Sequence, residues 1–337
     1  MSLAAMLSAA FAGRETPAAV DVASAAVLVG HDEVVAAWGA ENGTLFQAAS
    51  ISKPVAALMA LRLAAQDRLS LDADVNEYLR SWQLPNGAGR PPVTIRHLLC
   101  HGGALTVSGF PGYPQGTPLP TLTEILDGLP PSNTPAVRRD GPPGLEWRYS
   151  GGGYVLLQQL LEDVAGERFA DLAAELIFGP ARMTTATYDQ PEPSAAAAAH
   201  VDGRKVDWRV YPELAAAGLW CTPVDLVRLA QAIQAAIAGD DEALLPRKFA
   251  AEMVTPQVDG FGLGLMLSGD GTTRRFSHGG GNYGYQCALI GTVTAGNAAA
   301  VMTSSDKGAP LIASLLSVIP ATTSWRDLPA SRDSRTW

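Results

Sequence analysis

A serine and a lysine three residues apart at the mouth of an apolar helix can do nucleophilic chemistry. Residues 50–54, Ser50-Ile51-Ser52-Lys53-Pro54, offer that arrangement. Proline is tolerated in a helix only in the first turn, so Pro54 sets the helix start near Ser50. Residues three apart share a helix face, which places the Lys53 amine beside the Ser50 hydroxyl. A serine hydroxyl is a weak nucleophile until a neighbouring base takes its proton. The pair alone leaves two readings open, because Ser is also a preferred helix N-cap. A second run of the same spacing, Ser304-Ser305-Asp306-Lys307, precedes Gly308-Ala309-Pro310. Gly and Pro there do not continue a helix around the pair, so this second run reads as a decoy.

The elements that must position Ser50 follow from periodicity. Short apolar runs at 25–29 and 34–38 flank Gly30-His31-Asp32 and read as a hairpin. Further strands are expected only near the far end, at 261–267, 274–277, 285–291 and 298–303. Helical spacing fills the middle, at 54–65, 94–99, 122–127, 154–164, 169–177 and 223–237. The expected class is therefore α+β: an antiparallel sheet from both chain ends, flanked by helices, with an inserted, mainly helical lobe. Residues 1–65 and 255–325 would form the sheet lobe and 66–254 the helical lobe. The tail 326–337 should be loosely held. Connections 106–121 and 129–146 are too long for simple turns and should line or cover a site. The alanine run 195–199 reads as a surface loop or linker.

Composition excludes several functions. A formal charge of −9 over 337 residues, with no Lys/Arg run, disfavours nucleic acid as a partner. With 47% apolar and 17% charged residues a sizeable core can form. Cys100, Cys221 and Cys287 are odd in number and lack metal-ligand spacing, so buried free thiols are expected rather than disulfides or a metal site. No run is long enough to span a bilayer. The apolar stretch 3–12 ends in Ala-Phe-Ala like a short signal core, but no Lys or Arg precedes it. It reads as an amphipathic helix, and a cytoplasmic location is expected, with a periplasmic or secreted one as the alternative.

Four motifs occur in order: Thr44-Leu45-Phe46-Gln47-Ala48-Ala49-Ser50-Ile51-Ser52-Lys53-Pro54, Thr94-Ile95-Arg96-His97-Leu98-Leu99, Tyr149-Ser150-Gly151-Gly152-Gly153-Tyr154 and His278-Gly279-Gly280-Gly281. Together they resemble the class C β-lactamase-related serine hydrolases, penicillin-binding-protein-like enzymes that include family VIII esterases, D-aminopeptidases, carboxypeptidases and acyltransferases. The resemblance runs over about residues 25–325 and implies a β-lactamase/transpeptidase-like fold. It implies that Tyr149 matches the family tyrosine of a Tyr-x-Asn motif and acts with Lys53 as general base, since an adjacent ammonium favours a phenolate. Gly151 stands where the family has asparagine, which puts β-lactamase and peptidase activity in doubt and brings esters forward. His278-Gly279-Gly280 resembles the His-x-Gly form of the third motif, with His278 orienting substrate or hydrogen-bonding Tyr149, and Gly279 and Gly280 letting substrate lie close to the backbone. The backbone N–H groups of Ser50 and Gly281 would form the oxyanion hole.

The implied reaction is acyl transfer through an acyl-Ser50 intermediate on a small ester or amide, with no metal or organic cofactor. Alternatives are a D-amino acid amidase or peptidase, a β-lactamase, or a catalytically silent penicillin-recognition module. His97 is expected to be structural, beside His101 at the same helix end. Trp208, Tyr211 and Trp220 are expected to line the acyl pocket or the core, with Tyr211 and Trp220 the candidates for substrate contact. Phe110 and Tyr113 are open to the same two readings. The stretch 39–49 is shorter than in relatives and should open one wall of the cleft.

Overall fold

Small and β-branched residues dominate the runs at the two ends of the chain, and these runs pair with each other. The computed structural model describes residues 2–12, 20, 22–30, 32–85, 91–294 and 296–322. The tail 326–337 and His31 lie outside them. Strands β1 (Ala23–Val29), β2 (Asp32–Trp38), β7 (Met266–Ser268), β8 (Arg275–Asn282), β9 (Tyr285–Thr292) and β10 (Ala298–Thr303) form a six-stranded sheet in the order β2-β1-β10-β9-β8-β7. Every pairing is antiparallel. The remaining strands make two-stranded pairs: β3 (Phe46–Ala49) with β6 (Leu219–Cys221), and β4 (Ala199–Val201) with β5 (Arg204–Val206).

The central strands are buried on both faces, and their alanines keep the sheet thin enough for helices to approach on each side. Helices α1 (Leu3–Ala12) and α10 (Ala309–Thr322) cover one face, packing on Ala25, Val27, Ala288, Ala299 and Val301. Phe11 of α1 stacks on Trp38 with ring centroids 4.4 Å apart. The other face carries the larger core, where Ala26, Leu28, Phe276, Leu289 and Met302 meet the helices of the middle of the chain. These are α2 (Ser52–Ala65), α3 (Ile95–Leu99), α4 (Leu122–Asp127), α5 (Gly151–Ala165), α6 (Phe169–Ala173), α7 (Leu214–Ala217), α8 (Pro223–Ala238) and α9 (Arg247–Met253). The α8 helix packs directly on β10 and β1, so a sequence division at 254 separates it from the sheet it covers.

Several expectations need correction. The run expected as strand 261–267 forms β7 only from Met266, because Gly262 N–H bonds Leu265 O and turns the chain. The helix expected over 169–177 gives way at Ala174 to a wider π turn ending at Phe178. The alanine run 195–199 is packed rather than a linker: Leu45 N–H donates to Ala195 O, Ala197 N–H donates to Leu45 O, and Ala199 opens β4. At the end of the run the backbone of Gly284 comes close, since a Cβ on Gly284 would stand 2.7 Å from that of Ala199. All three cysteines are buried free thiols. No helix among the described residues is long and apolar enough to cross a membrane.

Candidate active site

Ser50 lies at the turn between β3 and α2, where backbone strain and one buried hydroxyl fix its position. Ala49 takes φ +48°, a left-handed conformation that costs a non-glycine residue about 1 kcal/mol or more. Ser52 holds the turn together. Its hydroxyl donates to Ala49 O at 2.6 Å and accepts from Leu219 N–H at 3.0 Å, tying the turn to β6. The α2 helix then carries Lys53 inward, 2% exposed, with Nζ donating to Ser50 Oγ at 3.0 Å and to Ala216 O of α7 at 2.8 Å. Two aromatic rings flank that nitrogen, Tyr149 at 4.9 Å and Tyr154 at 5.6 Å to the ring centroids.

Tyr149 immediately precedes α5, whose N-cap Ser150 accepts from Gly153 N–H and donates to Thr106 O. His101 supports it from behind, with ring centroids 4.3 Å apart. Ser150 N–H donates to His101 Nδ1 at 3.1 Å, so the neutral ring carries its proton on Nε2. That Nε2 is buried without a hydrogen-bond partner among the described residues. Burial, reinforced by Lys53 and His278, holds the His101 imidazole well below the usual histidine range.

His278 faces the same space from β8. Its Nδ1 lies 2.6 Å from Gly279 O, an obligate acceptor, so Nδ1 carries the proton and Nε2 presents a buried lone pair without a partner among the described residues. Burial, with the Lys53 charge, lowers its pKa to about 3. Two neutral imidazoles of opposite tautomer therefore neighbour the Tyr149 ring, with centroids 4.3 and 6.4 Å from it. The end of β8 is anchored by Asn282, which donates to Gln47 Oε1 at 2.7 Å and to Ala217 O at 3.0 Å.

A cavity of about 390 Å³ opens on Ser50 and is bordered by Tyr149, His278, Gly279, Gly280, Gly281, Trp147 and Phe261, among others. Ser50, Lys53, Tyr149 and His278 are thus brought together, and Gly279, Gly280 and Gly281 border the same space. Gly280 also serves packing: a Cβ there would stand 2.4 Å from Ala48 O, so glycine lets β8 close on β3. Gly151 does not reach the cavity. Its side-chain direction is filled by Phe110, with Cε2 2.8 Å from where a Cβ would be.

Trp220 and Tyr211 do not line the cavity either. Trp220 is buried, edge-on between Trp208 and Tyr285, and the Tyr211 hydroxyl accepts from Tyr283 N–H. Aromatic size and spacing alone gave no means of telling this core from a pocket wall. Loops 106–121 and 129–146 contribute no lining residue. The first backs the Tyr149 turn through Ser108 O and Phe110, and the second leads into Trp147, which does line the cavity. Tyr113 is buried, its backbone paired with Val210. His97 caps α3, its Nδ1 accepting from Thr94 N–H, and is half-buried.

Sequence reasoning missed Ser52, His101 and the apolar lining group Trp147, Phe261, Met266 and Ile312. His101 had one legible signal, a histidine directly after a helix end. Among the described residues no group of three or more His, Cys, Asp or Glu side chains is placed to hold a metal ion.

Comparison with known proteins agrees with the architecture. The Beta-lactamase family model matches residues 9–316. A putative penicillin-binding protein, PbpX of Bacillus subtilis (strain 168), is 26% identical over 234 residues, 67% of this chain and 54% of its own length. Esterase EstB of Burkholderia gladioli is 33% identical over 174 residues, 48% of this chain and 43% of its own. The chain therefore spans about half the length of these curated relatives. The D-amino acid amidase from Ochrobactrum anthropi SV3 has the same fold, with TM-score 0.77 at 20% identity over 95% of this chain and 100% of that one. The chain belongs to the Beta-lactamase family of serine hydrolases.

Proposed function

We propose that this chain is a serine esterase that works through an acyl-Ser50 intermediate. The observation that carries the reading is the Lys53 amine, buried and 3.0 Å from the Oγ of Ser50, a residue that borders a cavity. In the first step Lys53 and Tyr149 together take the Ser50 proton as its oxygen attacks the ester carbonyl. Backbone N–H groups of Ser50 and Gly281 hold the developing oxyanion. Tyr149 returns the proton to the departing alkoxide, leaving the acyl group on Ser50. Water then attacks the acyl-enzyme, the same groups take its proton, and Ser50 leaves as the hydroxyl. The unprotonated Nε2 of His278, kept neutral by its low pKa, is left to accept a hydrogen bond from a group of the substrate.

The likeness to an esterase supports ester substrates, and so does Phe110, which fills the side-chain direction of Gly151 where an amide-bearing residue would stand. Intact-protein mass after mixing with p-nitrophenyl esters tests the reading. The wild type should gain one acyl mass, and Ser50→Ala should gain none and lose at least about a thousandfold in kcat/KM. Full activity in Ser50→Ala sinks the proposal. Absence of any adduct, with no labelling by a fluorophosphonate probe, would favour a silent binding module.

A further inference from the structure

The cavity beside Ser50 does not stop at the catalytic face of the sheet. Strand alternation divides its lining in two. His278, Gly280 and Cys287 point toward β3 and the larger core, since Gly280 opposes Cys287 and a Cβ on Gly280 would stand 2.6 Å from its sulfur. Gly279, Gly281 and Gln286, one residue out of phase, belong to the opposite face, the one that α10 covers through Ala288 and Ile312. Residues of both sets border the same cavity.

A passage around β8 explains this. Its neighbour β7 pairs only with Arg275, Phe276 and Ser277, so from His278 onward that edge of β8 has no partner strand among the described residues. Glycine at 281 leaves the passage open, since a Cβ there would meet no atom within 4 Å. Beyond the edge the cavity is bounded by Met266 of β7 and by Ala309 and Ile312 in the first turn of α10.

The chemistry of this far arm is narrow. None of the described residues that border the cavity is Arg, Lys, Asp or Glu. The one polar side chain in the arm is Gln286, whose amide is oriented by Nε2 donating to Asp306 O at 2.9 Å. Its Oε1 is buried and has no hydrogen-bond partner among the described residues. Among the described residues no cation lines the cavity to receive an anion, and no carboxylate lines it to receive an ammonium, so a charged group would enter without a counterion.

We propose that this arm, reached around the bare edge of β8, is a subsite for a neutral hydrocarbon portion of the ester substrate. The proposal rests on the esterase reading above and adds the substrate class and the residues that measure chain length. The cavity, about 390 Å³ in all, falls at the small end of small-molecule sites, roughly 300–1,000 Å³. Each buried methylene is worth about 0.8 kcal/mol, or about fourfold in kcat/KM.

The test compares two substrate series on the full chain: p-nitrophenyl esters from acetate to decanoate, and acetates of alcohols of increasing length. One series should rise about fourfold per methylene and then level off once the arm is full; which one rises says whether the acyl or the alcohol side occupies it. p-Nitrophenyl esters ending in a carboxylate or an ammonium should fall at least tenfold below the neutral ester of equal length. Ala309→Leu, which fills the arm, should lower the long-to-short selectivity ratio of the rising series at least tenfold, and Met266→Ala should move the plateau to longer chains. Two flat series, a preferred charged chain, or a selectivity ratio unmoved by both variants would overturn the subsite while Ser50 still acylates. Failure of Ser50 to acylate with any ester strikes the esterase reading instead.

Discussion

The chain contains two Ser-x-x-Lys runs, and the structure separates them by environment rather than by spacing. Lys53 is 2% exposed and bonds a hydroxyl and a main-chain carbonyl, Ser50 Oγ and Ala216 O. Lys307 is out in solvent, 2.7 Å from Asp202, and this carboxylate raises its pKa. Its serines are turned to structural ends: Ser304 O contacts His200 Nδ1, and Ser305 Oγ accepts from Lys307 N–H. A lysine paired with a carboxylate is held as an ammonium and has no reason to take a proton. On the proposed mechanism, the features that suit Lys53 to act as a base are its place on a buried helix beside the Ser50 hydroxyl and the lack, among the described residues, of a carboxylate hydrogen-bonded to its amine.

The largest test of that difference is Lys53→Met, which keeps length and apolar bulk while removing the amine. Activity should fall by about 10²- to 10⁴-fold, the usual worth of a general base, with no acyl adduct on Ser50 within the wild-type turnover time. Folding should survive, at a cost of about 1–3 kcal/mol for the Ser50 and Ala216 acceptors left without a donor. A Lys53→Met protein that acylates at the wild-type rate would mean that the two runs do not differ in the way proposed.

A second test concerns the carboxyl that Lys53 does not use. Glu213 lies three residues before Ala216, is 0% exposed, and has neither oxygen hydrogen-bonded among the described residues. Burial raises its pKa to about 8, so the folded protein holds this proton where an unfolded glutamate, at 4.5, has released it. The unfolded state then binds fewer protons, and stability contributed by Glu213 should fall as pH rises from about 4.5 to about 8. The histidines act in the opposite sense. His278, with a pKa of about 3, and His101, also lowered, stay neutral in the fold while the unfolded chain protonates below about 6.5. Stability should therefore climb from about pH 3 to 6.5 on their account. Glu213→Gln should keep the climb and lose the alkaline fall, gaining a few kcal/mol over wild type in urea melts at pH 8.5 relative to pH 5. A Glu213→Gln protein that instead loses stability at pH 8.5 relative to pH 5 would mean that the Glu213 carboxyl is ionised in the fold.

The sequence made the Ser50–Lys53 pair and the sheet legible for a local reason: each depends on spacing within a few residues or on strand alternation. The start of α2 follows from Pro54 and the closeness of Ser50 and Lys53 from their spacing, while the choice between nucleophile and N-cap needed the motifs at Tyr149 and His278; the sheet's use of both chain ends follows from where the apolar runs lie. The cavity walls were not legible in that way. Trp220 and Trp147 are the same residue type, and only the tertiary fold decides that one packs in the core and the other borders Ser50. His101 supports Tyr149 across 48 residues of chain, and Ile312 reaches the cavity from the far side of the sheet. Packing of this range leaves no periodic mark. The alanine run 195–199 was legible as a surface loop, with Ala195 exposed, but not as one whose later residues pack, since small residues signal a flexible surface and a close approach equally well.

The smallest expected effect completes the comparison. In Lys307→Met the pair with Asp202 is lost, but both partners are more than half exposed, with side-chain exposures of 53% and 74%. Solvent screens such pairs, and most contribute little. The melting temperature should stay within about 2 °C of the parent, and raising salt to 1 M should erase even that difference, because the Debye length there is about 3 Å. Acylation of Ser50 should proceed at the parental rate, since the Lys307 amine bonds Asp202 and Lys307 does not border the cavity. A loss of esterase activity beyond threefold in Lys307→Met, with folding intact, would show that the surface run takes part in the reaction. The distinction between a buried lysine facing a carbonyl and an exposed lysine facing a carboxylate would then fail as the physical criterion that separates the two.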